Sequence, residues 1–215
     1  MTVHEFGIFL FRWAHVLFGI VWIGMLYYFN FVQGEYFKEA TPDAKADALQ
    51  KLAPRALWYF RWGAMFTFIT GVVLLLGMIK SQTINDMTLT GVILGTLMFL
   101  NVWLVIWPNQ QVVIGLKEGD KAAAGAKALL ASRTNVLFSA PMLFGMLSVH
   151  SVAYGADHLF AGGGVGVGFW IVLAIIAALE GNALLGKTGP LTTIKGVIHC
   201  SLALVAVLYG LLLAL

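Results

Sequence analysis

Residues 7–32 read GIFLFRWAHVLFGIVWIGMLYYFNFV, an apolar run interrupted by two ionisable side chains, Arg12 and His15. Wound as a helix at about 1.5 Å per residue, a run of this length exceeds the ~30 Å hydrocarbon core of a bilayer. Five further stretches are long and apolar enough to cross: residues 56–79, 88–107, 135–154, 165–185 and 196–215. The composition agrees, with 60% hydrophobic and 11% charged residues in a chain of 215 and a mean hydropathy of +0.88. A soluble enzyme on a single tether is excluded, because no polar stretch approaches the ~100 residues of a separate domain. The expectation is an all-α polytopic membrane helix bundle with about six transmembrane helices, forming one integral domain over residues 1–215.

The intervening segments 33–55 and 108–134 are polar and rich in alanine. Thr41-Pro42-Asp43 and Asp120 are N-terminal helix signals, so both segments are expected to form short surface helices. Lysine and arginine set the orientation. Lys38, Lys45, Lys51, Arg55, Lys117, Lys121, Lys127, Arg133, Lys187 and Lys195 fall on one set of alternate loops and their flanks, and only Lys80 on the other. The positive-inside bias then places the first set in the cytoplasm and both termini outside, as for a multi-pass protein of the bacterial inner membrane. No basic region precedes the first span and no small-residue cleavage site follows it, so it is expected to be retained. The lone Cys200 excludes an intramolecular disulfide and the CxxCH attachment of a c-type haem.

Ionisable residues within spans are costly and therefore informative. They are Arg12, His15, Arg61, His150, Glu180 and His199. Counting from the middle of each span puts His15 about 6 Å and His150 about 9 Å toward the same side. Two histidines at one depth on different helices suit axial ligation of a b-type haem, with His15 and His150 as the iron ligands. Gly19, one turn from His15, would let a flat macrocycle approach, and Arg12, three residues before His15, would meet the propionates. Hydrogen bonding across helices, or a water cavity, remains the alternative for both histidines. Arg61, Glu180 and His199 fall in the other half with Asn101. An Arg61–Glu180 salt bridge is expected there, or a proton path or second cofactor using His199. Cys200 is expected to pack as a small apolar residue. Trp58, Trp62, Trp103 and Trp107 are expected to form an interfacial belt.

Several strings resemble the urate oxidase N-terminal family, the membrane domain of bacterial cytochrome c-linked urate hydroxylases. They are Arg12-Trp13-Ala14-His15 running into GIVWIG at residues 19–24, WYFRWG at 58–63, Asn101-Val102-Trp103, IWPN at 106–109, ASRTN at 131–135, Pro141-Met142-Leu143 and the region of His150. The histidine, tryptophan and glycine spacing of the first span is also similar to small haem-binding bundles such as the membrane protoporphyrinogen oxidases. The resemblance implies an oxidoreductase that hands electrons to a cytochrome c, and points to His15, Arg61, Asn101, Arg133 and His150. Members of the family carry a fused cytochrome c with CxxCH; this sequence has none. The expected acceptor is therefore a separate cytochrome c or a quinone. The alternatives are urate hydroxylation itself, or a non-catalytic subunit of a larger respiratory or photosynthetic complex. The expected surroundings are the lipid bilayer, with no nucleic-acid partner.

Overall fold

A computed structural model describes residues 2–148 and 165–215, and among them every regular element is helical. Helix α1 (Val3–Tyr27), π-helical turns over Tyr28–Gln33 and helix α2 (Gly34–Glu39) run on without a break as one rod, Val3–Glu39. Helix α3 (Pro42–Asp47), a second π-helical segment (Ala48–Leu52) and helix α4 (Ala53–Ser81) form another, Pro42–Ser81. A third joins α5 (Asp86–Leu100), π-helical turns at Asn101–Ile106 and α6 (Trp107–Val113). Helices α7 (Lys121–Leu147), α8 (Val167–Leu185) and α9 (Ile194–Ala214) follow, with a 3-10 turn at Gly189–Thr192 before the last.

The cap signals act where the sequence places them. Thr41 accepts from the Ala44 N–H with Pro42 in the first turn, and Asp120 accepts from the Ala122 and Ala123 N–H groups at 2.8 and 3.1 Å. At the chain start, Thr2 and Glu5 close a reciprocal capping box. The expected separate surface helices are not found. The 33–55 segment instead extends two long rods that meet at Ala40 and Thr41, and 108–134 is divided between the rod ending at Val113 and the start of α7. Alanine, lysine and glutamate favour helix strongly enough to carry a span past the apolar core without a break.

Five helices among the described residues are long and apolar enough to cross a membrane: Val3–Glu39, Pro42–Ser81, Asp86–Val113, Val167–Leu185 and Ile194–Ala214. The remaining expected span, 135–154, begins in α7 and continues outside the described residues. Large apolar side chains such as Ile20, Leu76, Leu104 and Leu202 stand exposed on the bundle's outside. That is the expected surface where hydrocarbon rather than water is the solvent.

Helix α1 packs along α4, and α7 packs along both α5 and α9. Where α5 crosses α7, Gly91 and Gly145 bring the backbones together. A Cβ on Gly91 would lie 3.1 Å from the Met142 carbonyl oxygen, and one on Gly145 would lie 2.6 Å from the Met87 carbonyl oxygen. The α7–α9 contact is stitched by polar groups. Pro141 has no N–H to give the Leu137 carbonyl one turn back, and the Ser201 hydroxyl on α9 donates to that oxygen at 2.9 Å. The Tyr209 hydroxyl, also on α9, donates to the Pro141 carbonyl at 2.6 Å.

Ser201→Ala should therefore destabilise the protein by about 0.6 kcal/mol and by no more than ~1.7 kcal/mol, read as a lower midpoint of unfolding by SDS in mixed micelles. Ser201→Thr, which keeps the hydroxyl, should recover most of the loss.

Candidate functional site

Two polar levels occur along the bundle. A hydrogen bond between the Tyr27 hydroxyl on α1 and Ser139 Oγ on α7, 2.8 Å long, fixes the register of these antiparallel helices. His15 lies twelve residues before Tyr27, about 18 Å along the axis toward the end where α1 begins. Asn135 lies four residues before Ser139, about 6 Å toward the opposite end. That opposite end carries the loops rich in lysine and arginine and is called the basic end below.

At the His15 level, the imidazole is half-buried against α4. Its Nδ1 lies 2.9 Å from the Thr67 carbonyl oxygen and 3.2 Å from Thr70 Oγ1. A carbonyl can only accept, so Nδ1 carries the proton. Thr70 Oγ1 donates to the Phe66 carbonyl at 2.7 Å, leaving its oxygen to accept as well. Gly71 makes room for the ring: a Cβ there would stand 3.0 Å from His15 Cε1. At Gly19 an added Cβ would meet one neighbour within 4 Å, the Thr67 methyl on α4 at 3.9 Å. Arg12 is exposed one turn before His15. His150, the second expected axial ligand, lies outside the described residues.

The other level differs from its expected form. Arg61 and Glu180 make no ion pair among the described residues. The Arg61 guanidinium stacks over the Trp107 ring, 3.8 Å from its centroid, which satisfies the cation with a π face on the neighbouring rod. Glu180 Oε2 instead accepts from Asn101 Nδ2 at 3.1 Å. The same Asn101 amide donates to Asn135 Oδ1 at 3.0 Å, and Asn135 Nδ2 donates to the Met98 carbonyl at 2.9 Å. Asn101 and Asn135 are both fully buried, so α5, α7 and α8 are joined by a chain of amide and carboxylate groups inside the bundle. His199 is not part of it; it is exposed on α9. Cys200 packs beside the core, as expected. The four tryptophans do more than line an interface. Trp62 meets Trp103 edge to face at 5.8 Å, so together with the Arg61–Trp107 stack they hold α4 against the third rod.

Asn135 was visible in the sequence only as one letter of a string, and Asn30 carried no signal at all. Asn30 Nδ2 donates to the Leu26 carbonyl at 2.9 Å and to Ser132 Oγ at 2.7 Å. Asn30 and Asn101 both lie in π-helical turns. The wider i→i+5 ladder upsets regular backbone pairing and is common at functional positions. Arg133 is 95% buried on α7, beside Ser132, and makes no hydrogen bond among the described residues through Nε or Nη1.

The model of the urate oxidase N-terminal family matches residues 82–180, from just before α5 into α8. The resemblance read from the sequence is therefore shown over this part of the chain. It covers Asn101, Arg133, Asn135 and Glu180, whereas His15 and the α1–α4 pair precede it. No curated protein and no solved structure matches the chain.

Asn101→Leu removes the donor for both Asn135 and Glu180, and should cost about 1–3 kcal/mol because it leaves a buried acceptor unpaired. Glu180→Gln keeps an oxygen facing Asn101 and should cost less. The SDS-unfolding midpoints of the two variants give the order, and the reverse order would remove Asn101 from the centre of the network.

Proposed function

We propose that this is an integral membrane redox protein of the urate oxidase N-terminal type that binds haem b through His15 and His150 and passes electrons to a separate cytochrome c or a quinone. In this reading the chain crosses the bacterial inner membrane six times with both termini outside, which the distribution of lysine and arginine favours.

The observation that carries the haem reading is the state of His15. Its Nδ1–H is committed to the Thr67 carbonyl, which fixes the tautomer and leaves Nε2 as the nitrogen with a lone pair. Histidines that ligate metals are characteristically held in this way, by a carbonyl or carboxylate on the other ring nitrogen. Thr67 and Thr70 hold the ring against α4, and Gly71 admits it. Arg12 supplies a cation one turn away for acidic groups at that end. When bound, the haem would supply one-electron chemistry, with its potential set by the axial ligands and by burial.

A detergent-purified preparation made under haem-replete conditions should give a b-type reduced-minus-oxidised spectrum and a pyridine haemochrome of matching type. His15→Ala and His150→Ala should each abolish it. Full haem retention in both variants would exclude the assignment, and a colourless wild-type protein would favour a non-catalytic subunit. A second reading, urate hydroxylation proper, is favoured by the family match over residues 82–180. It requires urate-dependent reduction of added cytochrome c, and absence of turnover with any purine would count against it.

A further inference from the structure

The first rod, α7 and α9 surround a cavity of about 250 Å³ at the level where Tyr27 meets Ser139. Tyr27 and Phe31 line it from the first rod, Ser139 and Ala140 from α7, and Ser201 and Leu202 from α9. The Tyr27 and Phe31 rings stack with centroids 5.1 Å apart and planes 23° apart, which gives the cavity an aromatic wall. Leu202 and Ile198, one turn apart on α9, both line the cavity and stand exposed on the outside of the bundle, so its mouth opens toward lipid.

The hydrogen bonds decide what the polar atoms of this cavity have left to offer. Ser139 has a single hydroxyl proton, which goes to the Val136 carbonyl at 2.7 Å. In the 2.8 Å bond between Ser139 Oγ and Tyr27 Oη, Tyr27 is therefore the donor. Ser201 likewise spends its proton on the backbone of α7, 2.9 Å from the Leu137 carbonyl and 3.2 Å from that of Val136. All three hydroxyl protons are committed to the protein, whereas Tyr27 Oη and Ser201 Oγ accept from no group among the described residues. The cavity presents lone pairs and no free donor.

We propose that this cavity binds the ring of a lipid-soluble hydroquinone, whose O–H groups donate to Tyr27 Oη and Ser201 Oγ. Three features of the cavity dictate that description. The stacked Tyr27 and Phe31 rings suit a flat aromatic partner, the unused lone pairs require a donor, and the mouth at Ile198 and Leu202 admits a ligand that arrives through the bilayer. Drug-sized ligands fill pockets of about 300–1,000 Å³, so the cavity takes a ring and leaves an apolar tail in the lipid. The oxidised quinone carries only carbonyl acceptors and would set lone pair against lone pair, an unmade hydrogen bond on both sides. The site thus distinguishes the reduced from the oxidised form. The choice of ligand class rests on the quinone branch of the proposed function, to which the cavity adds a place and a redox state. The cavity shares no side chain with the His15 level or with the Asn101–Asn135–Glu180 chain.

The test is anaerobic isothermal titration calorimetry of the full chain in nanodiscs, with empty nanodiscs as the blank for partition into lipid. The probes are decylhydroquinone, the corresponding decylbenzoquinone, and dodecanol, which has an O–H but no ring. The hydroquinone should saturate and bind about tenfold more tightly than either of the others, the factor expected for one well-made hydrogen bond. Ala140→Leu, which fills the cavity, should abolish saturable binding. Tyr27→Phe keeps the ring and the Ser139–Val136 bond but removes an acceptor; it should weaken hydroquinone binding about fivefold and leave the benzoquinone unchanged. No saturable binding of the hydroquinone, equal affinity for its oxidised form or for the alcohol, or binding that both variants leave unchanged, would overturn the proposal. Should Ala140→Leu fail to fold, Tyr27→Phe decides, and unchanged hydroquinone binding overturns it. A reduced-minus-oxidised spectrum of the same preparations separates the two claims. Haem without hydroquinone binding removes this site alone, whereas hydroquinone binding by a protein without haem removes the haem assignment and supports the site.

Discussion

The Leu137 carbonyl, stripped of its helical donor by Pro141 and rescued by Ser201, shows the constraint on which the whole bundle depends. In an apolar surround a backbone oxygen without a donor costs several kcal/mol, and no water is at hand to supply one. Every departure from a regular ladder must therefore be met by a side chain from the same or a neighbouring helix. The proline in α7 is met by α9. Beside the π-helical turns at Tyr28–Gln33 and Asn101–Ile106, amide side chains donate to the carbonyls of Leu26 and Met98, from Asn30 and Asn135 respectively. Those repairs place asparagine side chains inside the bundle, and the remaining hydrogen-bonding capacity of the same amides reaches Ser132, Asn101 and, through Asn101, Glu180. The polar interior is thus a consequence of irregular helices as much as of any ligand.

The bundle was legible in the sequence because apolar length is a one-dimensional signal. So were the helix starts at Thr41 and Asp120, where side chain, proline and backbone act within three residues. The continuity of the long rods was less so. Residues 33–55 are polar enough to look like separate short surface helices, yet their alanines, lysines and glutamates form helix readily, and a helix leaving the apolar core has no reason to stop. The partners of ionisable residues were least legible of all. Depth alone placed Arg61, Glu180 and His199 together, but depth does not fix the angle around each helix. Arg61 turns to Trp107, Glu180 to Asn101, and His199 faces outward. Opposite charge at equal depth predicted a salt bridge; a π face and an amide, both neutral, are what the two residues meet.

The register set by Tyr27 and Ser139 separates the two polar levels by about 24 Å along the axis, so they are two sites rather than the walls of one. Their warrants differ as well. His15 rests on local geometry, a ring nitrogen fixed by a backbone carbonyl and a glycine that admits the ring, in a part of the chain that precedes the family match. The Asn101–Asn135–Glu180 chain and Arg133 lie inside that match, yet hold no histidine and no pair of groups suited to carrying an electron. On the proposed haem reading, electron carriage belongs to the first and recognition or proton handling to the second. Something must then act across the space between them, where the core is made of apolar and aromatic side chains such as Leu26, Phe60 and Phe138. A single helix pair such as α1 and α4 could carry the first function alone, and the crossing of α5, α7 and α8 the second. On this division the two activities could be lost separately, because neither level supplies a side chain to the other.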